Sequence, residues 1–355
     1  MSSLLLIRAD GNARIGTGHV MRCLSLAQGW RRAGGEAAFA CAEISPALEA
    51  RLTAEGFPMH RLTATPGTVE DAEQTIESGL KLETGDLSRA NSHWIVADGY
   101  HFDASYQRAI KAAGRRLLVL DDYGHAEHYC ADFVLNQNLS ADAAFYIHRE
   151  PYTQLLLGCR YTLLRQQFLS WLDWSRPISA VGRRVLITLG GADPENTTGK
   201  VVKALQQVTL DGLEVVVVVG GSSPHFETLQ SASRNLRYSV RVVCDAPNMP
   251  ELMAWADVAI GAGGSTSWEL AFMGLPALVL ILADHQAAIA DSLQQQGVAV
   301  NLGWVGQVTE DRIAITTETL LRDATQRRKM SENGRRLVDG LGAERVAKAM
   351  SGALT

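Results

Sequence analysis

Short unbroken apolar runs alternate with helix-periodic stretches along most of the chain. Leu4, Leu5, Leu6 and Ile7 form the first run, as expected of a strand buried on both faces. A polar loop containing Gly16 and Gly18 follows. Val20, Met21, Leu24, Leu26 and Ala27 then recur at helical spacing, which puts His19 at or just inside a helix start. Strands are next predicted at Ala37–Ala40, Met59–Leu62, Trp94–Asp98, Leu117–Leu120, Phe133–Leu135 and Leu155–Leu157. Helices are expected from Pro46 and over Asp103–Ala113.

The rhythm breaks over 161–182, where Trp171, Trp174, Pro177 and Gly182 read as a connection. It resumes with Val185–Leu189, Val215–Val219, Val242-Val243, Val258–Ile260 and Leu278–Leu282 as strands, and with polar-faced helices after about Glu310. Alternation of this kind predicts two doubly wound Rossmann-like α/β domains, one over 1–160 and one over 183–355. Ligands of open parallel sheets bind beyond the carboxyl ends of the strands, where Asp10, Asp98, Asp121-Asp122, Asn136, Gly190-Gly191 and Gly261 fall. Two such edges facing one another would form a cleft.

Composition narrows the function classes. The 355 residues are 46% hydrophobic, with a net charge of −5 and no lysine- or arginine-rich run, so nucleic acid is not an expected partner. Five scattered cysteines without metal spacing suit reduced thiols, and the start is too short in apolar residues for a signal peptide or a membrane span. The expectation is a cytoplasmic monomer that does not insert into membranes.

Two stretches carry the candidate chemistry. At the start of a helix the dipole disfavours a second positive charge, so His19 is suited to act as a neutral general base; the alternative is a residue that caps the helix. The second stretch is Gly261 to Glu269, a glycine- and hydroxyl-rich turn from strand to helix. Gly263, Gly264, Ser265, Thr266 and Ser267 there offer donors to a phosphate or diphosphate, and Glu269 has the reach for a ribose. A tight turn with an ordinary helix glutamate is the other reading. His285, after the strand Leu278–Leu282, is either a ligand contact or a cap. A dinucleotide fingerprint and a P-loop both fail on spacing, since Gly16-Thr17-Gly18 lacks the third glycine and Val201 follows Gly199-Lys200. His125 and His128 with Asp121 and Asp122 fit no established metal spacing and read as a polar loop.

The ordered set Arg8-x-Asp10, Ile15-Gly16-Thr17-Gly18-His19-Val20-Met21-Arg22, Asp98-x-Tyr100, Asp121-Asp122, Leu135-Asn136-x-Asn138, Gly158-x-x-Tyr161-x-Leu163-Leu164-Arg165, Leu189-Gly190-Gly191-x-Asp193 and Gly263–Glu269 resembles one family. It is that of the UDP-2,4-diacetamido-2,4,6-trideoxy-β-L-altropyranose hydrolases of pseudaminic acid biosynthesis, enzymes of GT-B-like fold. The chain departs from the family pattern at Gly99 and Arg14. The resemblance implies that water displaces UDP at the anomeric carbon with inversion, that His19 is the base, and that no metal or other cofactor takes part. It also implies a UDP-sugar as the small-molecule partner, and substrate contacts from Asp10, Gly16, Gly18, Asn136, Arg165, Gly191 and the 263–269 turn. Tyr100 matches a tyrosine near the sugar, or else packs the rim. Asp98 and Asp10 are rival partners for the His19 ring. Rival activities are a glycosyltransferase with a lipid acceptor, a sugar-nucleotide sensor and a hydrolysing epimerase.

Overall fold

The computed structural model describes residues 3–12, 14–82, 93–190, 193–221, 223–233 and 236–352. The chain divides into two units, 1–166 with 341–355, and 167–340. The first holds a seven-stranded sheet and the second a six-stranded one, every pairing parallel.

In the first unit β1 (Leu4–Ala9), β2 (Glu36–Cys41), β3 (Met59–Arg61), β4 (Trp94–Asp98), β5 (Arg116–Leu120), β6 (Phe133–Asn136) and β7 (Gln154–Leu157) lie in the order 3-2-1-4-5-6-7. Helices α1 (Gly18–Arg32), α2 (Pro46–Ala54), α3 (Val69–Leu82) and α4 (Ala104–Ala112) form the crossovers. The strands are mostly apolar because both faces are covered, with polar residues such as Glu36, Asp98, Arg116, Asn136 and Gln154 at their ends. Leu5, Ile7 and Val96 pack with α1 residues Cys23, Leu24 and Ala27, whereas Ile95, Ala97 and Val119 pack with Tyr106 and Ile110 of α4.

The second unit comprises β8 (Arg184–Thr188), β9 (Glu214–Val219), β10 (Ser239–Cys244), β11 (Val258–Ala262), β12 (Ala277–Ile281) and β13 (Ala299–Trp304), ordered 10-9-8-11-12-13. Its helices are α5 (Thr197–Ala204), α6 (Phe226–Ala232), α7 (Met249–Trp255), α8 (Thr266–Phe272), α9 (Ala287–Gln295), α10 (Glu310–Arg322) and α11 (Ala324–Leu337). In both sheets the strand order reverses beside the first strand, between β1 and β4 and between β8 and β11. A topological switch point opens there, at the carboxyl edge.

Two boundaries differ from the sequence expectation. The segment 167–182 is not a free connection, since it packs into the second unit. Arg335 Nη2 donates to Leu172 O at 2.5 Å, and Arg176 Nε donates to Gly274 O at 2.9 Å. Nor does the second unit run to the end of the chain, because α12 (Gly342–Gly352) returns to the first. Its Ala343, Val346, Ala347 and Met350 face inward at helical spacing and join the α1 side of the first core. Small residues permit the approach. A methyl at Gly29 would lie 2.9 Å from Ala343 Cβ, and one at Gly342 would collide with the backbone of Tyr161 and Thr162.

Candidate active site

The first switch point brings together the groups of greatest chemical interest. Ala9 is the partner of Asp98 in the β1–β4 register, so the strand ends that carry Asp10 and Asp98 are neighbours. The loop out of β1 is organised by Asn12, whose Oδ1 accepts from the backbone N–H of Arg14 and Ile15 at 2.9 and 2.8 Å. Gly16 then turns the chain at φ +85°, a conformation that strains any residue with a Cβ, and the space around it is open. Gly18 is the first residue of α1 and His19 the second.

His19, Arg22 and Cys23 are spaced i, i+3, i+4, so one face of α1 presents all three toward the end of β4. Asp98 Oδ1 lies 2.6 Å from His19 Nδ1, and Arg22 donates to both oxygens of the same carboxylate, Nε to Oδ2 at 2.6 Å and Nη2 to Oδ1 at 2.7 Å. The Cys23 thiol donates to Oδ2 at 3.3 Å. Arg22 Nη1 continues to Asp122, at 2.8 and 3.0 Å from its two oxygens. Asp122 also accepts from Tyr100 OH at 2.8 Å and from Asn138 Nδ2 at 2.7 Å.

Burial alone would raise the Asp98 carboxyl, but the Arg22 charge and the His19 contact hold it well below the usual carboxylate range. Asp122 is lowered in the same way: burial opposes ionisation and Arg22 overrides it. An ionised Asp98 can only accept, so the proton between it and His19 belongs to Nδ1, and in the neutral ring Nε2 carries the lone pair. Nε2 has no hydrogen-bond partner among the described residues, and the ring is 13% exposed. The Tyr100 ring stands edge-on to it, 5.1 Å between centroids. Burial, with Asp122 adding to it, pushes the Tyr100 phenol well above its ordinary value, so its hydroxyl keeps its proton and acts as a donor.

The rivalry over the His19 ring resolves for Asp98. Asp10 faces the other way, its Oδ1 accepting from the N–H of Ala42 and Glu43 at 2.8 and 2.9 Å and pairing with Arg8 at 2.7 Å. It braces the loop after β2. Asn136, expected to touch substrate, is fully buried; its amide donates to Tyr146 OH at 2.9 Å and its oxygen accepts from Asn138 N at 3.0 Å. Its effect reaches the site only through Asn138. Arg165 is buried, 9% exposed. Asp121 ties up its own loop, accepting from Tyr123 N, Gly124 N and Tyr129 OH.

Arg22 and Asp122 carry no assigned role in the sequence reading, although both lie in its motifs. The available signal was the i, i+3 spacing of Arg22 from His19, which puts a cation beside any carboxylate that holds the imidazole.

The second switch point lies where β8 and β11 end. Gly190 turns at φ +98°, and Gly191 lies outside the described residues. Asp193 holds the start of α5, accepting from Thr197 N at 2.8 Å and Thr198 N at 2.9 Å, while Asn196 is the N-cap. Beyond β11, Gly263 packs tightly, since a methyl there would lie 2.9 Å from Gln286 O, whereas Gly264 borders open space. Ser265 is exposed and Thr266 half-buried. Ser267 is turned inward, its hydroxyl donating to Ala262 O at 2.9 Å, so it is not a donor for a ligand. Glu269, in the first turn of α8, is half-buried. His285 is exposed on the 3₁₀ turn before α9, whose N-cap position is occupied by Gln286.

Residues 184–347 match the glycosyltransferase family 28 C-terminal domain. The chain is 29% identical to the spore coat polysaccharide biosynthesis protein SpsG of Bacillus subtilis over 61% of its own length and 63% of that protein. It is thus matched to less than two thirds of that relative. It is 24% identical to the UDP-2,4-diacetamido-2,4,6-trideoxy-β-L-altropyranose hydrolase of Campylobacter jejuni, over 83% of this chain and 98% of that one. It is also 30% identical to a UDP-N-acetylglucosamine–N-acetylmuramyl-(pentapeptide) pyrophosphoryl-undecaprenol N-acetylglucosamine transferase of Carboxydothermus hydrogenoformans, over 42% and 41% of the two chains. Among solved structures, MurG of Acinetobacter baumannii superposes with a TM-score of 0.65 at 15% identity, covering 99% of this chain and 100% of that one. No helix among the described residues is long and apolar enough to cross a membrane. The chain has the two-domain Rossmann-like GT-B fold.

Proposed function

We propose that this protein is a nucleotide-sugar-processing enzyme, and specifically a hydrolase that releases UDP from UDP-2,4-diacetamido-2,4,6-trideoxy-β-L-altropyranose. The observation that carries the proposal is the His19–Asp98–Arg22 arrangement, which in the neutral ring leaves Nε2 to act as a base beside a switch point. The likeness to the Campylobacter jejuni hydrolase over most of both chains supports the substrate.

In this reading water gives a proton to His19 Nε2 as its oxygen bonds to the anomeric carbon. The bond from that carbon to the diphosphate oxygen breaks, and UDP leaves with the electron pair. Asp98 holds the ring and stabilises the imidazolium that forms, as a carboxylate does for a catalytic histidine elsewhere. Arg22 and Asp122 keep Asp98 ionised and fixed. Tyr100, held by Asp122, orients the sugar through its ring. The sugar is assigned to the first unit. The nucleotide is assigned to the second, with the diphosphate on the 263–266 loop, the ribose on Glu269, and His285 at the margin. Gly16 and Gly18 shape the loop on the sugar side, and Arg165 supports it. No step in this reading needs a metal.

A second reading, transfer to an acceptor hydroxyl with the same base, is supported by the family 28 match and by the exposed Tyr123, Phe145 and Ile147 on the first unit. One experiment separates the two. A panel of UDP-sugars is incubated with the protein without acceptor, and UDP release and the anomer formed are followed. Release from the diacetamido-trideoxy sugar with inversion is the expected result. Release only on adding a lipid acceptor would select transfer, and no release under either condition would remove the proposed catalysis.

A further inference from the structure

A second cluster of metal-ligating side chains lies in the first unit, outside the groups assigned above. His128 and Cys130 flank Tyr129, and the side chains of both reach Glu150. Tyr129 forms a parallel bridge with Arg149, its N–H donating to His148 O at 2.9 Å and its carbonyl accepting from Glu150 N at 3.0 Å. Glu150 is thereby held against the His128/Cys130 pair. His128 Nε2 lies 3.1 Å from Glu150 Oε1 and Cys130 Sγ 4.0 Å from the same oxygen, and the three donor atoms all fall within 4.8 Å of one another.

We propose that His128, Cys130 and Glu150 form a binding site for a thiophilic divalent cation, zinc before other metals. Three ligands at ordinary zinc distances around a tetrahedral ion stand about 3.3–3.7 Å apart, so the observed separations need adjustments of a few tenths of an ångström to about one. The donor types agree with that choice. One thiolate, one neutral imidazole and one carboxylate balance the charge of a dication, the Arg108 guanidinium that contacts Cys130 has to swing aside from the thiolate, and a sulfur ligand selects against magnesium and calcium. Binding replaces the thiol proton, which goes to solvent, by the metal–sulfur bond. The fourth position is left to water.

The backbone is already fixed. Cys130 N donates to the Gln107 side chain at 2.8 Å, and Thr153 N donates to Glu150 O at 3.0 Å. Cys130 is buried, while His128 and Glu150 are about one-third exposed, so an ion reaches the site from one side only. An ion here would clamp Tyr129, whose hydroxyl donates to Asp121, the residue that ties the loop beginning with Asp122. The role this gives it is stabilisation of the first unit rather than participation in catalysis.

The test is cobalt titration of protein first stripped with chelator. A near-ultraviolet thiolate-to-cobalt band saturating at one equivalent is expected, absent in Cys130→Ser and retained in Cys244→Ser, which removes the exposed thiol elsewhere. His128→Gln changes a side chain near the surface and should fold normally; it is expected to weaken cobalt binding at least tenfold. Zinc should raise the melting temperature of the parent protein but not of Cys130→Ser. Failure of the band to appear at saturating cobalt, its persistence in Cys130→Ser, or unchanged affinity in His128→Gln would overturn the site.

Discussion

Replacing Asp98 by Asn probes the arrangement most directly, because it keeps the shape and removes the charge. In the parent protein Asp98 Oδ1 sits 2.6 Å from His19 Nδ1 and receives two further bonds from Arg22. Opposite unit charges 3–4 Å apart attract by about 4–6 kcal/mol at an effective dielectric constant near 20, and Arg22 offsets part of this. An imidazolium formed in the transition state therefore loses about 3–5 kcal/mol of support, a fall of roughly two to four orders of magnitude in kcat. The amide can also donate to Nδ1, which would place the imidazole proton on Nε2 and block the base outright. Arg22 keeps both bonds to Asp122, so the protein should still fold. The assay is UDP release at saturating sugar nucleotide, with UDP affinity measured separately by calorimetry. A variant within threefold of the parent in kcat, with circular dichroism unchanged, would refute the assignment of Asp98 as the residue that positions His19.

Other perturbations test the remaining assignments. His19→Asn should lower kcat at least about a hundredfold while leaving UDP affinity unchanged; undiminished turnover would remove the proposed base. Glu269→Ala should weaken UDP binding by about 1.5–3 kcal/mol, roughly tenfold or more, and calorimetry showing parental affinity would rule out the ribose contact. Asp98, Asp121 and Asp122 all have depressed folded-state values, Asp121 about 2 with burial opposing and His125 and Tyr129 overriding it. Their stabilisation is complete above the unfolded value near 4 and is lost as pH falls through the folded one, about 2 kcal/mol for Asp121 alone. Urea midpoints should accordingly drop between about pH 4 and pH 2, and drop less steeply in Asp121→Asn. Gly342→Ala forces a methyl into the Thr162 backbone and should cost about 1–3 kcal/mol, read as a lower melting temperature.

Period and polarity made most of the fold legible. Runs such as Val215–Val219 and Trp94–Asp98 are too apolar and too short for anything but strands covered on both faces. The edge strand β13 escaped because Asn301 and Gly303 interrupt its apolar residues, as an edge open to solvent on one side permits. Helix α3 escaped because its buried face is itself polar or small, Asp71, Ala72, Thr75 and Ser78, while Glu70, Glu73 and Glu77 take the exposed face. The inward stripe of α12 can be read as a helix, but nothing local says which core it covers.

In the candidate site, His19 and Asp98 were visible as chemistry at strand ends. Asn136 and Asp10 looked equivalent to them in sequence. They are distinguished only by where their hydrogen-bond partners lie, which depends on residues more than thirty positions away in the case of Asp10. Arg22 shows the converse, a functional neighbour hidden inside a helix that otherwise reads as core.

The return of α12 also sets the order in which the molecule can be made. A ribosome delivers the first unit's sheet and α1 before the second unit, and the helix that covers Gly29 and its neighbours on α1 only after it. At the usual pace of about 5–20 residues per second, the six-stranded unit between them has many seconds to fold while the older unit waits with part of its core exposed. The first unit is thus completed only after the second has been made, and its exposed α1 face during that interval is where a chaperone would bind.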